Sequence, residues 1–206
     1  PLKSVVLFPG MELPLIVFEP RYHQLTQECL EAKDQFGVLL LKSGQEVGDN
    51  EAQPHTIGTT AEILKVEELD NDRLRVMAIG RDRFRVKALN HDLPYLSARV
   101  DIIPHDGDKT VPDPVLNEIK SACSTYVQSL MALRGGYLRE IALPDDPEDL
   151  SYLIALFLEQ QYETQQHLLE IESTAERLLE ETKLLENASA DVKEQIERRW
   201  WLPTAR

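Results

Sequence analysis

The chain has 206 residues, of which 42% are hydrophobic and 28% are charged, as is typical of a soluble globular protein. Its 36 acidic and 22 basic residues give a net charge of −14, which repels phosphate backbones and anionic membranes. No apolar run approaches the length of a membrane span, so we expect neither a nucleic acid nor a membrane as partner.

The first structural signal is a pair of short apolar runs, residues 5–8 and 13–18, on either side of Pro9-Gly10. Proline lacks a backbone donor and glycine tolerates positive φ, so this pattern predicts strand, tight turn and strand. Pro20 suits the first turn of a helix, where its missing N–H costs nothing. A helix over about residues 20–33 is therefore expected, with apolar residues at helical spacing: Tyr22, Leu25, Cys29 and Leu30.

The next hundred residues read mostly as strands. Residues 36–41 predict a buried strand, and the long polar stretch 42–56 predicts a loop that is either mobile or part of a binding edge. Four consecutive strands are then expected, joined by short turns and hence antiparallel. We expect this meander to curl into a small closed or nearly closed barrel, since closure hides strand edges. The four strands are residues 57–67, 74–79, 83–89 and 96–103, with turns at 69–72, 80–82 and 90–92.

One of these strands alternates cations with other residues, which places the cations on a single face: Arg81, Arg83, Arg85 and Lys87. Such a face is typical either of RNA binding or of a solvated surface paired with carboxylates on the neighbouring strand, Glu62, Glu67 and Glu68. We favour pairing, because the protein is acidic and no aromatic residues interleave as stacking platforms.

A polar segment over residues 105–114 marks the end of this lobe, and helical patterns follow it. Asp113-Pro114 is expected to cap one helix, which Gly135-Gly136 ends, and Asp146 is expected to cap a second. The sequence thus predicts an α+β fold with two lobes. An antiparallel β-barrel lobe spans residues 1–111, and an α-helical bundle lobe with a long C-terminal helix spans residues 112–206.

A third helix is expected to start near Glu163 or Thr164 and a fourth to run from about Ser189 to Arg199. In the third, apolar and small residues recur at alternating steps of three and four: Leu168, Ile171, Ala175, Leu178, Thr182 and Leu185. This spacing fits either a coiled-coil dimer seam or packing within one chain, and we favour the second. Trp200 and Trp201 then form a large apolar area that must dock on this chain or on another.

The motifs, taken in order, resemble a known family. FPGMELPLIVFEPRY (residues 8–22) is similar to the opening signature of the LON substrate-binding domain, the N-terminal domain of Lon proteases. Its FEPRY ending resembles the stand-alone and RING-associated branches of that family. Further matches follow at residues 36–38, 58–63, 80–86 and 94–98. The resemblance implies a PUA-like pseudo-barrel followed by a helical lobe, and a role in binding protein substrates or unfolded segments.

Nothing in the sequence calls for catalysis. No GxxxxGK[ST] phosphate loop occurs, and the five histidines are scattered without a second ligand at metal spacing. The Lys3-Ser4 and Lys42-Ser43 pairs have nothing to activate their hydroxyls. We therefore expect no enzymatic activity, no catalytic residue, no metal and no cofactor. Cys29 and Cys123 fall on apolar helix faces and are expected to be buried reduced thiols, as in a cytoplasmic protein.

The function that best fits is a non-catalytic binding or adaptor module for unfolded or client proteins and peptides. The candidate contact residues lie near the barrel–helix junction, with one at a far turn: Met11, Phe18, Arg21, Tyr22 and Tyr95. A separate protease or chaperone is an additional expected partner, and the chain is expected to be a monomer or a weak dimer through its C-terminal helices. Two alternatives stay open: a component of ATP-dependent Lon proteolysis acting with a separate partner, and RNA binding through the barrel.

Overall fold

The structure, a computed structural model, describes residues 1–44, 53–105, 111–158 and 161–201, with only the backbone described for residues 199–201. The chain divides into two compact units. The first contains Pro1–His105 and Gln161–Glu170, and the second contains Asp106–Gln160 and Ile171–Arg206. Residues 161–170 lie within the stretch expected to belong to the second lobe, yet they group with the strands of the first unit.

The opening segment folds as a turn, a strand and a helix. The turn at Pro9-Gly10 is confirmed: Gly10 has a φ of +78°, and the Met11 amide donates to the Phe8 carbonyl at 3.1 Å. Strand β1 (Glu12–Val17) and helix α1 (Pro20–Ala32) follow as predicted. The predicted strand over residues 5–8 is wrong. Val6, Leu7 and Phe8 are buried, but the Leu7 carbonyl accepts a hydrogen bond from the Thr59 hydroxyl rather than from a strand partner.

The first unit is built on antiparallel strands. The main sheet has the order β1-β6-β5-β2, with β7 also pairing β6, and β3 pairs β4 separately. The predicted strand over residues 36–41 is therefore divided between β2 and β3, and part of the predicted loop, residues 45–52, lies outside the described residues. The strands are β2 (Phe36–Val38), β3 (Leu41–Ser43), β4 (Gln53–Pro54), β5 (Ile57–Leu69), β6 (Arg73–Asn90) and β7 (Ser97–Ile102).

The predicted turn at residues 80–82 is wrong, because β6 runs through it as one strand of 18 residues. Gly80 instead allows the backbone of residues 8–11 to lie close to β6. Its amide donates to the Met11 carbonyl at 2.9 Å, and its carbonyl accepts from the Gly10 amide at 2.9 Å. A Cβ at Gly80 would lie 2.3 Å from the Phe8 carbonyl oxygen, so only glycine fits without a backbone shift.

The predicted barrel closure is also wrong, whereas the α+β class is confirmed. Both β1 and β7 pair with β6 on the edge opposite β5, one along its first half and the other along its second half. A closed barrel would require β1 or β7 to pair with β2. Instead β2 pairs with β5, at the other side of the sheet. The described strands form an open sheet.

Helix α4 (Tyr162–Glu170) packs on this sheet within the first unit. The buried side chain of Gln166 donates from Nε2 to the Ile57 carbonyl at 3.0 Å, and Arg83 donates from Nη1 to the Leu169 carbonyl at 3.0 Å. Leu168 and Leu169 are fully buried. Polar anchoring and apolar burial together explain why this short helix belongs with the strands.

The second unit packs three helices around one apolar core: α2 (Asp113–Leu133), α3 (Pro147–Phe157) and α5 (Thr174–Trp201). Asp146 caps α3 as predicted, accepting from the amides of Glu148 and Asp149. The predicted cap of α2 by Asp113 is wrong: Asp113 is the first residue of the helix, Pro112 is at the N-cap position, and no side chain caps this helix start. Cys29 in the first unit and Cys123 in the second are free and buried, as expected.

The predicted third helix is in fact two helices, because the chain leaves the helical conformation at residues 171–173. Ser173 starts α5 by accepting a hydrogen bond from the Glu176 amide, and Arg177 donates to the Ile171 carbonyl at 2.9 Å. The predicted fourth helix is the continuation of α5. Leu178 and Leu185 pack inside the second unit, and the side chains of Trp200 and Trp201 lie outside the described residues.

A candidate client-binding face on the first strand

Strand β1 is apolar on both faces, and only one of them is covered. Leu13 is buried, whereas the alternate residues Pro14, Ile16 and Phe18 are exposed. Ile16 is 48% exposed and Phe18 is 56% exposed, which is unusual for side chains of this size. The outer face of β1 therefore presents an apolar stripe to solvent.

The neighbouring strand widens this stripe. In the register with β6, Pro14 lies opposite Met77 and Glu12 lies opposite Ile79, and both β6 side chains are partly exposed. Directly opposed residues of antiparallel strands point to the same face of the sheet. We call the resulting surface the β1 face and define it as Pro14, Ile16, Phe18, Met77 and Ile79.

Charged residues border the β1 face, and most of them are held in ion pairs with one another. Glu67 pairs with Lys65 at 2.5 Å and with Arg75 at 3.3 Å, and both cations lower the pKa of its carboxyl group. Glu62 pairs with Arg81 at 2.6 Å, and Glu12 is exposed at the start of β1. The surroundings of the stripe are thus polar and keep the apolar surface confined to it.

Two of the sequence candidates follow Phe18 at the start of α1. The Arg21 guanidinium pairs with Glu19 at 2.9 Å and lies over the Tyr22 ring, 4.6 Å from its centroid. Both Arg21 and Tyr22 are half-buried. The structure therefore stacks Arg21 on Tyr22 in the first turn of α1, shortly after Phe18 in the chain.

Tyr95 lies in the loop before β7 and contacts a different part of α1. Its side chain is only 8% exposed, and its hydroxyl donates a hydrogen bond to the Glu28 carboxylate. This bond raises the pKa of Tyr95 to about 12 and lowers the pKa of Glu28. Six residues separate Tyr22 from Glu28, which is about 9 Å along a helix. Tyr95 fastens its loop to α1 and presents little side-chain surface to a ligand.

Met11 lies at the opposite end of β1 from Phe18, about 23 Å away at the usual strand rise. It is partly buried and packs against the core cluster of the first unit that includes Leu7 and Leu13. The five candidates thus do not form one patch. Pro14 and Ile16 were not among the candidates chosen from the sequence, although a strand that is apolar on both faces indicates that one face needs a cover.

The row of cations on β6 is not one solvated face. Arg81 pairs with Glu62, and Lys87 pairs with Asp101 at 2.8 Å. Arg83 is buried, 3% exposed, beneath α4. Bulges in the pairing with β5 and β7 disturb the simple alternation that predicted a common face. The expected position of Arg83 on that face is therefore wrong, and the paired carboxylates leave little free positive charge for a nucleic acid.

Buried polar groups occur in the second unit, but they are sealed from solvent. The Ser151 hydroxyl donates to Glu181 at 2.9 Å and accepts from Arg177 at 2.7 Å, and all three side chains are fully buried. A hydroxyl that no substrate can reach is a structural group rather than a nucleophile.

Within the described ranges, no cluster of histidine, cysteine, aspartate and glutamate has the arrangement of a metal site. Nor is any helix in the described part of the chain both long and apolar enough to cross a bilayer.

Comparison with known proteins agrees with this architecture. The chain is 29% identical over 157 residues to the Lon protease of Parabacteroides distasonis, covering 75% of this chain and 18% of that protein. It is 27% identical over 202 residues to the Lon protease of Halothermothrix orenii, covering 95% of this chain and 24% of that protein. The chain therefore spans a quarter or less of the length of these relatives.

Solved structures show the same fold. The Lon N-terminal domain protein from Xanthomonas campestris is similar with a TM-score of 0.65 and 25% identity, over 87% of this chain and 92% of that one. The N-terminal domain of the Mycobacterium avium complex Lon protease gives a TM-score of 0.60 at 17% identity, over 92% of this chain and 95% of that one. The family model of the ATP-dependent protease La (LON) substrate-binding domain matches residues 1–187. The chain belongs to the LON substrate-binding domain family.

Proposed function

We propose that this chain holds extended, unfolded segments of client proteins without cleaving them, and that it does so through the β1 face. The observation that carries the proposal is the exposed apolar stripe at Pro14, Ile16 and Phe18, on a chain that matches a substrate-binding domain. Patches of this kind, rimmed by polar groups, are typical of interaction sites.

The spacing of the stripe favours an extended ligand. Its β1 side chains project at every second residue, about 6.6 Å apart, which is also the spacing of side chains on one face of an extended peptide. A client segment lying along β1 would set its own alternate apolar residues against Ile16 and Phe18. Unfolded chains offer such segments, whereas folded proteins bury them.

The charge of the chain favours basic clients. The net charge of the chain is −14, and Glu12 is an exposed carboxylate beside the stripe, whereas Glu62 and Glu67 are already paired with cations. Lysine and arginine residues beside an apolar client segment would be attracted to this net negative charge, and salt would weaken that attraction. We therefore expect the preferred ligands to combine alternate apolar residues with flanking basic ones.

The five sequence candidates take different parts in this proposal. Phe18 contacts the client directly, and Arg21 with Tyr22 forms the wall beside it, since the stacked pair adjoins Phe18 in the chain. Met11 and Tyr95 act by positioning: Met11 holds the start of β1 against the core, and Tyr95 fixes α1 through Glu28. The adaptor part of the proposal is that bound clients are passed to a separate protease or chaperone.

Isothermal titration with reduced, unfolded casein tests the binding. The double variant Ile16→Ser with Phe18→Ser should weaken the affinity at least about tenfold, because two large apolar contacts are lost. The matched control is Leu179→Ser, since Leu179 is 61% exposed but lies in the second unit. No binding heat from the unaltered chain, or an equal loss in the control, would contradict the proposal.

The non-catalytic part has its own test. Casein incubated with the chain, ATP and Mg²⁺ should remain intact on a gel over hours, at concentrations where titration shows it to be bound. Casein fragments that appear with the purified chain, and disappear when a serine-protease inhibitor is added, would show that the chain is an enzyme.

A further inference from the structure

Strand β7 is a free edge of the main sheet. Among the described strands it pairs only with β6, and its residues are exposed from Ala98 to Ile102. The Ile103 amide donates to the Arg83 carbonyl at 2.8 Å, which fixes the direction in which each backbone group of β7 points. In an antiparallel pair this direction alternates from residue to residue. The backbone N–H and C=O groups of Val100 and Ile102, and of Ala98 before them, therefore point away from β6.

Other edges of the sheet are protected against pairing with a further strand. β1 carries Pro14, which has no N–H to offer and lies opposite Met77. The second half of β5 carries a bulge at Leu64 and a series of charged side chains. β7 has neither proline nor a bulge of its own in Ser97–Ile102. It is a six-residue edge that can accept another strand.

The side chains of this edge are complementary to themselves. Val100 stands at the centre, with Arg99 on one side and Asp101 on the other. If two such strands run antiparallel with Val100 opposite Val100, Arg99 of each falls opposite Asp101 of the other. The other face of the pair is then apolar, with Ala98 opposite Ile102. One register thus satisfies charge and apolar contact together.

We propose that two copies of this chain associate through the edges of β7, antiparallel and centred on Val100. The outward backbone groups of each strand hydrogen-bond to those of the other, and Arg99 of each copy pairs with Asp101 of the second copy. Such a twofold contact closes on itself and stops at a dimer. It differs from the helical seam considered in the sequence analysis, because it uses only the first unit.

The charges already in the sheet allow this arrangement. Asp101 contacts Lys87 at 2.8 Å, yet its side chain remains 63% exposed and can accept a second cation. Arg99 is exposed and makes no ion pair within the described residues. A single strand pair buries less surface than a standard stable interface, so the dimer should be weak and visible at about 0.1–1 mM.

Sedimentation equilibrium of the whole chain over that concentration range is the test. Arg99→Asp and Asp101→Arg should each weaken association at least about tenfold, because each sets like charges opposite one another twice. The double variant carrying both substitutions should restore association to within about threefold of the unaltered chain. Val100→Pro should abolish it by removing the central donor, with circular dichroism confirming that the variant folds.

Net charge alone predicts a different outcome. Asp101→Arg makes this acidic chain less negative, so general repulsion would fall and association would strengthen. The proposal predicts the opposite sign. It would be overturned by a chain that stays monomeric at 1 mM, by a dimer that the single reversals leave unchanged, or by a double variant that is not restored.

Discussion

Arg83 on β6 donates a hydrogen bond from its guanidinium Nη1 to the main-chain carbonyl of Leu169, next to the last residue of α4, at 3.0 Å. The Arg83 side chain is 3% exposed, so a buried positive charge lies at the C-terminal end of this helix. Carbonyls at a helix C-terminus have no partner within the helix and favour positive charge. The contact therefore explains how residues far apart in sequence belong to one unit.

Replacing Arg83 with Met should lower the free energy of unfolding by about 2–3 kcal/mol, because it leaves the Leu169 carbonyl without this donor. Urea denaturation measures the loss, and hydrogen exchange should show faster exchange in α4 than elsewhere in the first unit. Arg81→Met is the matched control. Arg81 is in an exposed ion pair with Glu62, so its loss should cost less than about 1 kcal/mol. Equal losses in the two variants would contradict this role of Arg83.

Gly80 and Gly10 should differ in their tolerance of a methyl group. Gly80→Ala sets Cβ against the Phe8 carbonyl and should cost about 2–3 kcal/mol through overpacking. Gly10→Ala meets no atom within 4 Å, and its cost of about 1 kcal/mol comes only from its φ of +78°. Thermal unfolding of both variants gives the comparison. A Gly80→Ala variant as stable as Gly10→Ala would show that the Phe8 segment moves aside easily.

Glu181 should make stability depend on pH. Burial raises the pKa of its carboxyl group to about 8 from an ordinary value of 4.5, against the opposing effects of the Ser151 hydrogen bond and the Arg177 charge. Between these two pH values the folded state keeps a proton that the unfolded state releases. The contribution to stability is thus fully present below about pH 4.5 and is lost as the pH rises towards 8.

The variant Glu181→Gln removes this titration while keeping the shape of the side chain. The unfolding free energy of the unaltered chain, minus that of the variant, should therefore fall as the pH rises from 5 to 8, by at most about 1.4 kcal/mol per pH unit. Urea titrations at intervals of one pH unit measure the difference. A difference that stays constant with pH, or that grows, would show that the carboxyl group is ionised in the folded state.

The variant Tyr95→Phe tests whether Tyr95 positions α1 or contacts the client directly. Loss of the hydroxyl removes the hydrogen bond to Glu28 and should cost about 1 kcal/mol of stability. Its effect on casein affinity should stay within about twofold, since the ring is only 8% exposed and lies away from the β1 face. A tenfold loss of affinity without loss of stability would place Tyr95 among the contact residues.

Local signals were sufficient for much of the fold. Pro20 placed the start of α1, Asp146 placed that of α3, and Pro9-Gly10 placed the first turn. Each acts on its own stretch of backbone: proline fixes φ, glycine permits a positive φ, and aspartate accepts hydrogen bonds from the first helical amides. The break before α5 could also have been found. Ser173 and Glu176 have the spacing of a capping box, which the run of leucines on either side obscured.

Other features depend on contacts between distant residues and could not be read locally. Gly80 resembles a turn residue until the Phe8 backbone is seen against it. Leu13 and Ile16 are equally apolar, and only the packed sheet shows that one is buried and the other is exposed. Only part of the candidate face was therefore predicted from the sequence. Phe18 was chosen from its motif, whereas Ile16 and its neighbours on β6 were identified only from exposure and strand register.

Residue-resolved NMR during titration with unfolded casein measures most directly where a client binds. We expect shift changes to concentrate on β1, on the start of α1 and on residues 75–79 of β6, and to disappear in the Ile16→Ser, Phe18→Ser double variant. Changes confined to the helices of the second unit, with β1 unaffected, would contradict it.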